Sequence, residues 1–201
     1  MRRHRQPYDV TFQGRTIRVF PGVMSPKYDW SGKFGVECLP SVAEKSFLEI
    51  GSGCGIVSMF AAIGGASLTV AVDVSPEAAR NTKFNFEAHR LKNAYVVQGN
   101  LFNCISHRFD FVFFNAPYHG NRPNDWLEWA VSDEDYRSLK AFILGVRQCL
   151  KNDGRVILGF SESGDEDFLR SEFKRAGLEV LRIQEDNRRG YSCKYFTMAI
   201  N

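Results

Sequence analysis

An α/β fold, with a mostly parallel sheet and helices on both faces, is predicted by three observations. Short apolar runs alternate along the chain with segments of helical apolar spacing, the βαβα order that builds parallel sheets. Two of these runs carry an acid at or near their end: Ser46-Phe-Leu-Glu-Ile-Gly-Ser-Gly-Cys-Gly55 passes through Glu49 into three alternating glycines, and Leu68-Thr-Val-Ala-Val-Asp73 stops at a carboxylate. A third run, Phe109-Asp-Phe-Val-Phe-Phe114, leads at once into Asn115-Ala-Pro-Tyr118. Ligands in open α/β sheets sit outside the carboxyl ends of the strands, so these strand ends are expected to share one crevice.

Each element follows from local signals. Residues 8–11 and 16–20, joined at Gln13-Gly-Arg15, read as a hairpin, followed by the Pro/Gly-rich Pro21-Gly-Val-Met-Ser-Pro-Lys27. This divides the chain into a small lead-in over 1–40 and a main domain over 41–201. The first buried strand covers 46–50 and turns sharply into a helix; at Gly51, Gly53 and Gly55 a missing Cβ permits positive φ and lets a ligand lie against the main chain. Asp73 ends the next strand about 20 residues on, where a carboxylate accepts from ribose hydroxyls in nucleotide-binding folds. Ser75-Pro-Glu77 supplies an N-cap, a proline at the first helical position and an early acid, predicting a helix over 75–90. Further strands are expected at 95–97, 109–114 and 155–160, with helices over 133–150 and 165–176. Strands at 178–184 and 195–200, separated by the turn Asn187-Arg-Arg-Gly190, predict an antiparallel pair at the sheet's end.

Composition narrows the class. A chain of 201 residues with 44% apolar content supports one core. A net charge of +3 is too small to argue for nucleic acid, and the basic tip Met1-Arg-Arg-His-Arg5 reads as a solvated terminus. No apolar leader follows it and no run approaches a membrane span, which predicts a soluble, cytoplasmic protein with no membrane partner. Cys38, Cys54, Cys104, Cys149 and Cys193 are scattered without a C-x-x-C pair, as expected of reduced thiols, and Cys54 reads as a small packing residue. His89, His107 and His119 lack ligand spacing, so no metal is expected and none of the three receives a role. Trp126 and Trp129, three apart, are expected to pack against the core rather than line a pocket.

The glycine spacing is G-x-G-x-G, with Glu49 just before it. That carboxylate would repel a pyrophosphate and attract a ligand bearing an ammonium and a sulfonium. Here the chain resembles the class I S-adenosylmethionine-dependent methyltransferases, whose first motif is matched by Leu48-Glu-Ile-Gly-Ser-Gly-Cys-Gly55 and whose second is matched by Val72-Asp-Val-Ser-Pro76. The resemblance runs from about residue 16 to the end and implies a Rossmann-like, seven-stranded sheet with an antiparallel last strand. It implies S-adenosylmethionine as cofactor, held by Glu49, Gly51, Gly53, Gly55, Asp73, Val74, Asn100, Leu101 and Asn115. Asn100 stands where such enzymes usually carry an acid for the adenine amino group, and an amide can accept there too.

Asn115-Ala-Pro-Tyr118 resembles the Asn-Pro-Pro-Tyr motif of methyltransferases that modify planar nitrogens, which implies Asn115, Pro117 and Tyr118 as catalytic residues. The lone pair of such a nitrogen is delocalised and weakly nucleophilic. Carbonyls from Asn115 and the Ala116 backbone would accept its two N–H bonds and stabilise charge as it develops, while the Tyr118 ring stacks on the planar group. Ala116 replaces the motif's first proline but keeps the carbonyl. Arg18-Val-Phe-Pro-Gly-Val-Met-Ser-Pro26 resembles the approach to the catalytic domain of protein-glutamine methyltransferases. The acceptor is left among a protein glutamine, an RNA base and a small molecule, and no residue signals an oligomeric state. Two other readings keep the cofactor: a non-methyl displacement, by cyclisation or aminobutyryl transfer, and a non-catalytic scaffold.

Overall fold

The computed structural model describes residues 5–188 and 190–201. Residues 1–4 of the basic tip, and Arg189 in the final turn, lie outside the described residues.

A seven-stranded sheet organises the chain. Its central strands β3 (Ser46–Ile50), β4 (Leu68–Asp73), β5 (Ala94–Gln98), β6 (Phe109–Asn115) and β7 (Leu150–Ser161) are parallel, whereas β9 (Tyr191–Ile200) runs antiparallel between β7 and β8 (Leu178–Arg188), giving the order β5-β4-β3-β6-β7-β9-β8. The order reverses at β3, where the chain crosses to β4 on one side and β6 pairs on the other, which makes the carboxyl end of β3 the switch point at which such sheets bind ligands.

Strand alternation divides the core between the two faces. Leu48, Ile50, Val112, Phe114 and Leu158 point to one side, where they meet Phe142 and Ile143 of α5 (Arg137–Gly145) and Phe173 of α6 (Glu166–Ala176). Phe47, Phe113 and Ile157 point to the other, against Val57 and Met59 of α2 (Ile56–Ile63) and Phe86 of α3 (Pro76–Ala88). Burial of both faces explains why these strands read as continuous apolar runs in the sequence.

Helix α3 forms as its start signals dictate: the Ser75 side chain accepts from the Ala78 N–H, and Pro76 occupies the first turn. Its inner face then grips the N-terminal hairpin of β1 (Tyr8–Phe12) and β2 (Arg15–Val19). Asn81, Asn85 and His89, four residues apart, bond the main chain of β2 and its exit. Asn81 accepts from Phe20 N–H at 2.7 Å and donates to Arg18 O, Asn85 accepts from Arg18 N–H and donates to Arg18 O, and the His89 ring meets Thr16 O at 2.7 Å. The helix thus presents amide side chains to a sheet edge as another strand would, and Ile17 and Val19 are fully buried beneath it.

The structure differs from the sequence expectation in several stretches. The Pro/Gly-rich lead-in holds a helix, α1 (Ser31–Glu37), disguised by Gly32 and Gly35. Gly35 is needed there because an added Cβ would sit 2.7 Å from the Tyr195 hydroxyl and 2.9 Å from the Phe113 ring. The single helix expected over 133–150 is broken: Asp135 and Tyr136 take left-handed φ values of 54° and 55°, and α5 starts only at Arg137. Asp133 caps it from outside, accepting from the Ser138 and Leu139 N–H groups at 3.0 and 2.9 Å. The last strands are longer than 178–184 and 195–200, because the β8–β9 ladder continues to Arg188 opposite Tyr191.

Candidate active site

The crevice forms where the carboxyl ends of β3, β4 and β6 meet. Gly51, Ser52 and Gly53 leave β3 in a tight loop whose first two N–H groups donate to Val72 O at 2.8 and 3.1 Å. The Asp73 carboxyl pins the same loop: Oδ2 accepts from Gly53 N–H at 2.8 Å and Oδ1 from Ser75 N–H at 2.9 Å. Burial pushes the Asp73 carboxyl up from its ordinary pKa, against these bonds. Gly53 has φ 58° and nothing within 4 Å of the position a Cβ would take, so this stretch of main chain is bare toward the cavity. Gly55 is a glycine for another reason: a Cβ there would lie 2.7 Å from Thr82 Cγ2, so it serves the packing of α2 against α3 and does not line the cavity.

Glu49, Gly51, Gly53, Asp73, Val74, Asn100, Leu101, Asn115 and Pro117 all line this cavity. Leu101 takes a left-handed φ of 50°, while the Gly99 N–H donates to Asp73 O and sets the turn that carries Asn100. Glu49 is only 3% exposed. Its Oε2 accepts from the Ser58 N–H at 2.9 Å and from the Ser58 hydroxyl. Burial pushes the Glu49 carboxyl up to about 8, so by itself it holds a proton at neutral pH; this corrects the fixed negative charge assumed from the sequence. Bare glycine backbone beside Asp73 and beside a Glu49 carboxyl whose charge a cation would restore fits a ligand that is both nucleoside-like and cationic.

A second cavity of about 400 Å³ opens beside the first, and Met24, Asp29 and Asn115 line both. Aromatic Tyr28, Trp30, Tyr118 and Tyr191 form much of its wall. Tyr118 is positioned by its N–H on Val131 O at 3.0 Å and by the Tyr136 hydroxyl on its carbonyl at 3.2 Å. Its phenol is pushed up to about 12, first by burial and then by the nearby Asp29, so it stays neutral. Pro117 is buried, as is Ala116, whose N–H donates to Gly159 O at 3.0 Å.

Several residues escaped sequence reasoning. Asn115 Nδ2 donates to Ser31 Oγ at 2.7 Å, and Ser31 O accepts from the Tyr195 hydroxyl at 3.0 Å. The Asp29 carboxyl accepts from Ser31 N–H at 2.9 Å, an Asx turn that launches α1. Gly159, opposite Asn115 in the β6–β7 ladder, leaves room for the amide, since a Cβ would lie 2.7 Å from Asn115 Oδ1. In the sequence, the Pro/Gly-rich run over 21–27 and the resemblance over 18–26 stop just short of this region. The expectation for the tryptophans is overturned: Trp126 and Trp129 are 47% and 46% exposed, stack edge to face at 5.1 Å and line the first cavity. In the four-residue helix α4 (Trp126–Trp129), started by Asp125, it is Leu127 that faces inward.

All five cysteines are free thiols, and Cys54 is buried with its pKa pushed up to about 12 by that burial. Among the described residues no group of three or more His, Cys, Asp or Glu side chains gathers as a metal site, and no helix is long and apolar enough to cross a membrane.

Comparison with known proteins places these features. The methyltransferase small domain family matches residues 14–180. A Methanocaldococcus jannaschii protein, provisionally described as a protein N5-glutamine methyltransferase, is 29% identical over 178 residues, covering 85% of this chain and 88% of that protein. A ribosomal protein L11 methyltransferase of Clostridium botulinum is 33% identical over 143 residues, 71% of this chain but 40% of the relative. Among solved structures, the ribosomal protein L11 methylase of Lactobacillus delbrueckii superposes with a TM-score of 0.69 at 16% identity, over 96% of this chain and 90% of that one. A T. thermophilus 16S rRNA methyltransferase solved with S-adenosylmethionine and guanosine gives 0.72 at 21% identity, over 97% of this chain and 50% of that one. The chain therefore spans half or less of two of these relatives and most of the other two.

Proposed function

This chain belongs to the methyltransferase small domain family, and we propose that the group it methylates is a planar nitrogen, with a protein glutamine amide as the first candidate. It is an S-adenosylmethionine-dependent methyltransferase. Bound at the glycine loop, that cofactor supplies an electrophilic methyl on a sulfonium. Gly53 and its neighbours offer bare backbone, Asp73 and Asn100 suit ribose and adenine, and Glu49 suits the cationic end.

The observation that carries the acceptor reading is Asn115, which stands between two cavities and lines both. Its Nδ2 is committed to Ser31, which leaves Oδ1 as the acceptor for an incoming N–H. With the Ala116 carbonyl as a second acceptor, an amide nitrogen is held with its lone pair freed from conjugation as charge develops. The neutral ring of Tyr118 aligns the planar group and the surrounding aromatics exclude water. The methylated nitrogen is acidic enough to lose its proton without a tuned base. Supporting the protein-glutamine acceptor is the Methanocaldococcus relative, whose length this chain nearly spans.

The test uses methyl-labelled S-adenosylmethionine with a pool of glutamine-containing peptides in one arm and total RNA in the other, with hydrolysis and mass spectrometry of the products. Label in N5-methylglutamine supports the reading. Label in a nucleobase moves the acceptor to RNA, whereas methylthioadenosine with no methyl adduct overturns methyl transfer at this site. An RNA reaction should also weaken steeply with salt, because counterion release dominates such affinities.

A further inference from the structure

Asn115 is useful as an acceptor only if its amide faces one way. A side-chain amide presents N–H or C=O with nearly the same shape, and nothing in its own geometry chooses. Its partner, the Ser31 hydroxyl, is equally ambiguous, since a hydroxyl can donate or accept. If Ser31 donated to Asn115, the amide would turn its NH2 toward the acceptor cavity and repel the N–H of a substrate.

The geometry points to Asp29 as the residue that removes this ambiguity, holding the Ser31 hydroxyl hydrogen so that Ser31 Oγ can only accept from Asn115 Nδ2 and Asn115 Oδ1 is left facing the substrate. Three observations carry this. Ser31 reaches the Asp29 carboxyl through both its N–H, at 2.9 Å, and its hydroxyl, so an acceptor lies within reach of the hydroxyl hydrogen. Ser31 Oγ is 2.7 Å from Asn115 Nδ2. Ser31 cannot drift, because the Tyr195 hydroxyl holds its carbonyl at 3.0 Å and Tyr195 is itself buried. Burial pushes the Asp29 pKa up and the two bonds from Ser31 pull it back down. As a carboxylate it accepts only, so the direction set at Asp29 passes through one hydroxyl to the amide without a second solution. Asp29 and Ser31 are on this basis positioning residues for Asn115. The inference rests on the planar-nitrogen reading for its purpose, but the orientation itself is independent of any substrate.

The experiment therefore reads orientation first. In 15N-labelled protein the Asn115 side-chain NH2 pair is assigned by its disappearance in Asn115→Ala, and one of its two protons should be shifted and slow to exchange. Ser31→Thr, which keeps the hydroxyl, should preserve that signature. Ser31→Ala and the isosteric Asp29→Asn should both abolish it while the rest of the spectrum stays folded. A signature that persists in Asp29→Asn overturns the inference. On the glutamine peptide pool, each of these two variants should lose about 10- to 100-fold in kcat with acceptor KM within a few fold, and the double variant should lose no more than either alone. Additive losses would also overturn it. If the wild-type protein methylates no glutamine peptide, the glutamine reading fails while the NMR comparison still decides the orientation.

Discussion

Glu49→Gln tests the electrostatics of the cofactor end most directly. Glu49 is buried at the end of β3, and burial raises its carboxyl from an ordinary 4.5 to about 8, despite two hydrogen bonds from Ser58. Between those values the folded protein holds a proton that the unfolded chain has released, so raising the pH pulls the equilibrium toward unfolding. The stabilising contribution is whole below about pH 4.5 and is lost as pH climbs through about 8. At about 1.4 kcal/mol per pH unit the full span approaches about 4–5 kcal/mol, which relaxation around the carboxyl would reduce to about 2–3 kcal/mol. Glutamine has the same shape, still accepts from Ser58 and does not titrate. Urea unfolding of both proteins at pH 5, 6.5 and 8 should show the variant gaining on the wild type by that amount as pH rises. The difference between the two proteins isolates Glu49 from Asp29 and Asp73, which burial also raises. Glu49→Gln should bind S-adenosylmethionine about 10-fold more weakly or worse, since a neutral amide replaces a carboxyl that a cation would ionise. Parallel stability curves, with cofactor affinity unchanged, would refute both the proton on Glu49 and its contact with the cationic end.

Asn115→Ala should keep S-adenosylmethionine affinity within a few fold while turnover falls by about 100-fold or more, as when a group aimed at transition-state charge is removed; wild-type turnover would eliminate the planar-nitrogen mechanism. Tyr118→Phe should retain most activity and Tyr118→Ala should not, because the ring rather than the neutral phenol does the aligning; steady-state kinetics on the identified acceptor separates them. Gly53→Ala meets no protein atom within 4 Å but sits at φ 58°. It should lower stability by about 1–2 kcal/mol and abolish measurable cofactor binding in calorimetry, because the new methyl fills ligand space; normal binding would show that the ligand does not pass over this loop. Trp126→Ala and Trp129→Ala, at half-exposed positions, should leave unfolding free energy within about 0.5 kcal/mol yet raise a Michaelis constant, and a large stability loss without a kinetic effect would restore the packing role.

What was legible in the sequence and what was not divides along the chain's own connectivity. The glycine loop, Asp73 and the tetrapeptide at Asn115 each stand at or just after the end of a strand, so a strand end and its loop carry their meaning in consecutive residues, and the parallel sheet then brings those ends together. The second cavity is assembled from distant pieces. Ser31 meets Asn115 across 84 residues and Tyr195 across 164, and no local spacing announces either contact. Helix α1, which carries Ser31, was hidden because Gly32 and Gly35 lower its helix propensity, although Gly35 is small so that Tyr195 can approach. The break before α5 was invisible for the opposite reason: Asp135 and Tyr136 are ordinary helix residues, held in the left-handed region while Asp133 caps the helix beyond them. Glu49 shows a third kind of failure. It lines the cavity at the carboxyl end of β3, but its charge depends on burial and on Ser58, neither of which the motif displays. The same residue name stands for a carboxylate in water and for a protonated acid at the end of a buried strand, so the charge at this position is a property of the folded site rather than of the motif.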